Sequence, residues 1–207
     1  MNRQEVANLL ESFRAGKTSL DEVLHHLSHG PVAELGFAHV DLARSVRCGF
    51  PEVIFCQGKA PEWVEGVMRR LSEAGQDCLA TRLTPELSEF LRPKFPAAEY
   101  NATARTLWLA RKDRPTAVGR LLIITAGTSD LPVAEEARVT ATALGCEVEL
   151  IADVGVAGLH RLLMHTEKFS AADAIVVVAG MEGALPSVVG GLVACPVIAV
   201  PTSVGYG

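Results

Sequence analysis

The sequence predicts an α/β protein, and three observations carry that prediction. The second half of the chain alternates strand-length apolar runs, at 120–125, 147–151, 174–178 and 197–200, with helical patterns. Each run leads into a turn rich in Gly, Ser, Thr or isolated polar residues, at 125–130, 152–160, 179–186 and 201–207. The first half mixes two leading amphipathic helices with short strands and one longer helix. Apolar strands joined by helices form a parallel sheet covered on both faces. In such sheets ligands bind beyond the carboxyl ends of the strands, where these four turns converge.

From the N-terminus, Val6, Leu9, Leu10 and Phe13 recur at helical spacing, which predicts a helix over 3–15 stopped by Gly16. Thr18 or Ser19 caps a second helix over 19–28, with Asp21 and Glu22 in its first turn. His25 and His29 stand four apart on it, one turn beyond Glu22, a spacing that metal ligands use. With no third ligand nearby, the plainer reading is a solvated helical face. Residues 36–41 and 53–56 read as strands. Arg44, Arg47, Glu52 and Lys59 could reach a charged ligand, although surface ion pairing accounts for them more simply. Pro61 opens a helix to Glu73 that turns Val64, Val67, Met68 and Leu71 inward, and Gly75 ends it. Strands over 78–83 and 106–110, with a helical turn or two over 85–91, complete a small α/β domain. The charged connector Arg111-Lys112-Asp113-Arg114-Pro115 sets the boundary, giving domains 1–114 and 115–207.

In the second domain, helices are predicted over 131–144, 159–168 and 186–193. The turn Thr125-Ala126-Gly127-Thr128-Ser129-Asp130 joins a buried strand to a helix N-terminus. That layout suits an anion, because first-turn N–H groups and the positive dipole end face the turn. Gly127 admits close approach of backbone to a ligand. Thr128, Ser129 and Asp130 can cap the helix or bind hydroxyls and phosphate. No Walker A pattern and no Gly-x-Gly-x-x-Gly occurs.

Composition excludes several classes. The 207 residues are 49% apolar and 21% charged, enough for a core without staples. A net charge of −5 argues against binding nucleic acid. Apolar runs are strand-length and broken by Gly and Pro, so no membrane partner is expected. The N-terminus has no apolar signal region. Five cysteines, Cys48, Cys56, Cys78, Cys146 and Cys195, never at C-x-x-C spacing, fit a cytoplasmic protein with reduced thiols. The chain stops at Val204-Gly205-Tyr206-Gly207, directly after a strand and a Pro turn, where a crossing helix is expected. The second domain therefore reads as truncated at its C-terminus.

Four segments of the second domain carry a resemblance: 125–130 (TAGTSD), 153–161 (DVGVAGLHR), 178–186 (VAGMEGALP) and 195–207 (CPVIAVPTSVGYG). With Arg47-Cys48-Gly49-Phe50-Pro51-Glu52-Val53-Ile54-Phe55, they closely resemble the LarB family, which acts in biosynthesis of the nickel-pincer nucleotide cofactor of lactate racemase. More distantly, 120–207 is similar to PurE, the aminoimidazole ribonucleotide carboxylase or mutase. The resemblance implies a small N-terminal α/β domain with two leading helices, then a flavodoxin-like, PurE-like parallel three-layer α/β domain. It implies a homo-oligomer, an octamer.

It also implies a reaction. Nicotinic acid adenine dinucleotide (with NAD as an analogue) is carboxylated at C5 of its pyridinium ring, with CO₂ or bicarbonate as co-substrate. Its phosphoanhydride is then split to release AMP and pyridinium-3,5-biscarboxylic acid mononucleotide. No tightly bound organic cofactor is expected. The ring is electron-poor, so a thiolate must first add to it and later leave. The family's nucleophilic Cys lies in the helix after the Gly-Tyr-Gly segment, which this chain does not reach. The expectation is that these 207 residues alone cannot carboxylate. Cys195, before Pro196 at a buried strand, reads as structural.

By the resemblance, His160 is the candidate acid–base residue. Glu182, a lone carboxylate in an apolar Gly-rich loop, is a candidate base or metal ligand. Asp153 is placed on a ribose hydroxyl, on His160, or with Glu182 on Mg²⁺. Gly127, Thr128, Ser129 and Asp130 hold the nucleotide, with Gly180, Met181 and Gly183 around the substrate, and Thr202 and Ser203 closing the site. Two alternatives stand beside this reading: a PurE-type carboxylase or mutase, and a nucleotide-binding module inactive as truncated.

Overall fold

A computed structural model describes residues 3–28, 32–111 and 117–203. Two compact units divide the chain, one running to Tyr100 and resuming at Leu107, the other taking 101–106 and the C-terminal half. The connector over 112–116, His29 and the Gly-Tyr-Gly end lie outside the described residues.

The first unit opens with helices α1 (Arg3–Arg14) and α2 (Leu20–Ser28). Ser19 caps α2. The Glu22 N–H donates to its Oγ at 3.2 Å, and the Ser19 N–H donates back to Glu22 Oε2 at 2.8 Å. Glu22 is thereby engaged in a capping box, which holds its carboxyl below the usual range. Strands β1 (Val32–Glu34) and β2 (His39–Asp41) pair antiparallel. The alternation over 36–41 therefore yields a strand only from His39. Gly36, at φ 78°, turns the hairpin, and the Leu35 N–H closes it on the Ala38 carbonyl.

Helix α3 (Arg44–Cys48) follows where the sequence predicted no element, closed by left-handed Gly49. Then come β3 (Val53–Phe55), α4 (Pro61–Glu73), β4 (Cys78–Thr81), α5 (Pro85–Leu91), β5 (Glu99–Asn101) and β6 (Thr106–Leu109). The sheet order is β3-β4-β6-β5, with β3 parallel and β6 antiparallel to β4. Strand β4 stops at Thr81 because Arg82 adopts φ 59°. The predicted inner face of α4 is buried as Val64, Val67, Met68 and Leu71, against Ile54, Ala80 and Leu107. Cys56 and Cys78 are buried here, and desolvation pushes their thiols up to about 11 and about 12.

The second unit is the parallel three-layer α/β domain. Its strands are β7 (Arg120–Thr125), β8 (Glu147–Ile151), β9 (Ala174–Ala179) and β10 (Val197–Pro201), ordered β8-β7-β9-β10 and all parallel. That is a flavodoxin-type order, with the chain reversing direction across the sheet after β8. Residue alternation sorts the core. Ile123, Val176 and Val178 face Ala134 of helix α6 (Leu131–Ala143). Leu122, Ile124, Ile175 and Val177 face the other layer, helices α7 (Leu159–Leu163), α8 (Thr166–Phe169) and α9 (Ala184–Gly190).

Two helices differ from the sequence expectation. The helix expected over 159–168 breaks at Met164-His165, where the Thr166 hydroxyl donates to the Leu163 carbonyl at 3.2 Å. The helix expected from Pro186 begins at Ala184, because left-handed Gly183 precedes it. Pro186 is then accommodated in the first turn, where an N–H would lack an intrahelical partner. Among the described residues no helix is long and apolar enough to cross a membrane.

Candidate active site

The turns after β7, β8 and β9 enclose a cavity of about 470 Å³ at the carboxyl ends of the strands. Half of its lining residues are Gly or Ala, from all three turns: Ala126 and Gly127, Gly155 and Ala157, Ala179, Gly180 and Ala184. Main chain and methyl groups therefore make up much of the wall. A Cβ on Gly155 would stand 2.7 Å from the Ala126 carbonyl oxygen, so the first two turns meet backbone to backbone.

The floor is fixed by a buried carboxylate. Asp130, 4% exposed, accepts the Gly127 N–H at 2.9 Å on one oxygen and the Thr202 hydroxyl at 2.7 Å on the other. It lines the cavity, yet it also ties the first turn to the turn after β10. A buried carboxylate needs such partners, and the N-terminus of α6 favours its charge.

One cation faces the cavity among the described residues. Arg161 lines it, and its Nη1 donates to Asp153 Oδ2 at 2.7 Å. The guanidinium folds back over Gly158, where a Cβ would lie 2.7 Å from Nε. Five donors in a planar fork leave capacity for a bound oxyanion after Asp153 takes one. Sequence reasoning passed over Arg161 in favour of its neighbour. Gly158, three residues earlier on the same helical side, was the available signal.

Of the predicted site residues, Gly127, Ser129, Asp130, Gly180, Met181 and Glu182 line the cavity. Thr128, Gly183, Ser203 and Thr202 stand outside the lining, and Thr202 acts through Asp130. His160 is exposed on α7 and also outside the lining. Fully buried Leu162 sets that helix's phase and turns Arg161, not His160, to the cavity. Glu182 is exposed at the rim, so its charge is solvated and carries no burial penalty. Asp153 lies behind Arg161 rather than on the lining. Among the described residues no group of three His, Cys, Asp or Glu gathers as metal ligands, and Asp153 is already spent on Arg161. Cys195 packs, partly buried, against the core.

Among the described residues, two of the four non-Gly residues with positive φ are in these turns, Asp153 at 59° and Met181 at 49°. Such conformations cost about 1–3 kcal/mol each and persist where surrounding structure imposes them.

In the first unit, the charged residues noted in the sequence pair internally. Arg47 forks Asp41 at 3.1 and 2.6 Å, Glu52 accepts the Asp41 N–H at 3.0 Å, and Lys59 donates to the Phe55 carbonyl at 2.5 Å. Arg44 lies over the Phe50 ring, 5.2 Å from its centroid.

Residues 32–112 match the LarB/PurE-like N-terminal domain, and residues 120–206 match the AIR carboxylase domain. The chain belongs to the LarB family. An uncharacterized protein of Methanocaldococcus jannaschii is 38% identical over 214 residues, covering 99% of this chain and 83% of that relative. Membership in this family makes the protein an enzyme of the carboxylase type, and the cavity lies wholly within the carboxylase domain.

Proposed function

We propose that the protein serves carboxylation of the pyridinium ring of nicotinic acid adenine dinucleotide at C5, and hydrolysis of the dinucleotide's phosphoanhydride to AMP, within nickel-pincer cofactor biosynthesis. The observation that carries this reading is the cavity itself. It combines backbone walls, one cation and a helix N-terminus in a carboxylase domain joined to a LarB-type N-terminal domain.

In this reading Arg161 and the turn Gly127-Thr128-Ser129 ahead of α6 hold a phosphate. The ring lies toward Gly180 and Met181. Thiolate addition turns the ring into a dihydropyridine whose C5 attacks CO₂. Glu182 takes the C5 proton, and the thiolate leaves as aromaticity returns. The described cavity lining presents no thiol of its own. Water then attacks phosphorus, and AMP departs. His160, outside the lining, receives no step, and no step runs through a metal. A homo-oligomer, an octamer, in the cytoplasm accords with this reading, as do five free thiols.

The AIR carboxylase match favours one second reading, a PurE-type reaction on aminoimidazole ribonucleotide. Full-length protein incubated with nicotinic acid adenine dinucleotide and bicarbonate should yield AMP and a ring heavier by one carboxylate. Turnover of aminoimidazole ribonucleotide instead would establish the second reading. Tight binding with no product from either would leave a nucleotide-binding module.

A further inference from the structure

Thr125 is fully buried at the end of central strand β7, yet it is polar and no step above uses it. It grips two successive amides of the neighbouring turn. The Asp153 N–H donates to its Oγ1 at 3.1 Å, and the Val154 N–H donates to its carbonyl at 3.0 Å. The side-chain bond holds Asp153 where its φ is 59°, a conformation rare outside Gly. From there the Asp153 carboxylate takes Arg161 Nη1 at 2.7 Å, and Arg161 faces the cavity. Both Asp153 and Arg161 are partly exposed, with side chains 51% and 36% accessible. Without a buried anchor, two solvated side chains of this length have little reason to keep one geometry.

We infer that Thr125 is a positioning residue for Arg161, acting through Asp153, and that Asp153 is a link in this relay rather than a ligand of substrate or metal. The inference rests on the proposed phosphate role of Arg161 for its consequence. The relay itself rests only on the three bonds above.

The relay predicts a pattern in a double-mutant cycle. Nicotinic acid adenine dinucleotide is titrated calorimetrically into the full chain carrying Thr125→Val, Thr125→Ser, Arg161→Gln or Thr125→Val with Arg161→Gln. Thr125→Val should weaken binding about fivefold, the worth of one hydrogen bond, and Thr125→Ser should restore it. Added to Arg161→Gln, Thr125→Val should weaken binding no further. An equal loss in the Arg161→Gln background would overturn the relay and leave Thr125 a packing residue. Wild-type affinity in Thr125→Val would overturn it too.

A ligand-free measurement separates this inference from the functional reading. The Arg161 guanidinium resonances should show slowed proton exchange in the wild type and Thr125→Ser, and fast exchange in Thr125→Val. If the wild type binds no dinucleotide, the functional reading fails while this exchange pattern still supports the relay. Exchange that ignores Thr125 sinks the relay even where the dinucleotide binds.

Discussion

The two halves of the molecule share one structural grammar and use it differently. Each runs parallel strands into turns that open helices, β3 into α4 and β4 into α5 in the first, β7 into α6 and β9 into α9 in the second. In the first unit these turns are tied back on themselves by hydrogen bonds. Cys56 is buried, Lys59 bends back to the Phe55 carbonyl, and Thr84 caps α5 by accepting the Leu87 N–H at 3.2 Å. In the second unit the equivalent turns, with the turn after β8, line a cavity of about 470 Å³, and half of the lining residues are Gly or Ala. The difference teaches that strand–turn–helix geometry alone does not make a site. In one unit the turn side chains bond back to their own backbone, and in the other they line a cleft.

Four measurements would break or sharpen that contrast. The largest effect is expected in the first unit. Leu71 is fully buried on α4, so Leu71→Ala should cost about 2–5 kcal/mol in chemical unfolding. Dinucleotide affinity of the folded protein should not change, and a parallel loss of affinity would end the division of labour.

Next comes the open unit. Arg161→Gln should lower dinucleotide affinity by about tenfold or more, since hydrogen bonds to charged groups are worth about 1.5–3 kcal/mol. Its unfolding midpoint should move little, because Arg161 is partly exposed. A large stability loss with unchanged affinity would make it a structural cation.

Gly155→Ala tests the backbone contact between turns. The added methyl meets a carbonyl oxygen that cannot swing aside, so about 1–3 kcal/mol of destabilisation should accompany weaker binding. A silent variant would mean the turns are not held together there.

The smallest effect concerns acid. Two bonds from Arg47 hold the Asp41 carboxyl below the usual carboxylate range. A depressed folded pKa gives stability that is present above the unfolded value of about 3.9 and lost as pH falls through the folded one. Arg47→Gln should therefore flatten the acid limb of stability below about pH 4, and only slightly for so exposed a pair. An unchanged limb would mean the pair contributes nothing.

Much of the fold was legible because periodicity survives in sequence. The inner face of α4 and the four apolar strands of the second unit came from spacing alone. Helix α3 did not, since five residues give less than two turns of pattern. The cavity turns were legible through their small residues. What stayed hidden were bonds between distant residues, Thr125 to Asp153 and Asp130 to Thr202, which no local spacing encodes. The orientation of Arg161 toward the cavity was hidden for a related reason. It depends on the phase of a five-residue helix, fixed only when Leu162 is seen to be buried. Glu182 does line the cavity, but its place at a solvated rim was not legible from its apolar neighbours.

The main-chain character of the cavity walls also bears on how this site can change over generations. Where the wall is peptide, the atoms that touch a ligand are the same in every residue, although a position as tight as Gly155 has no room for an added methyl. Drift at Ala126 or Ala179 can narrow the space but cannot easily give it new chemistry. The adjustable positions are at the rim, where Met181 and Glu182 present side chains to solvent. A search for altered substrate preference would sample Met181 first, since Glu182 is reserved for the proposed proton transfer and the enclosure behind both stays intact.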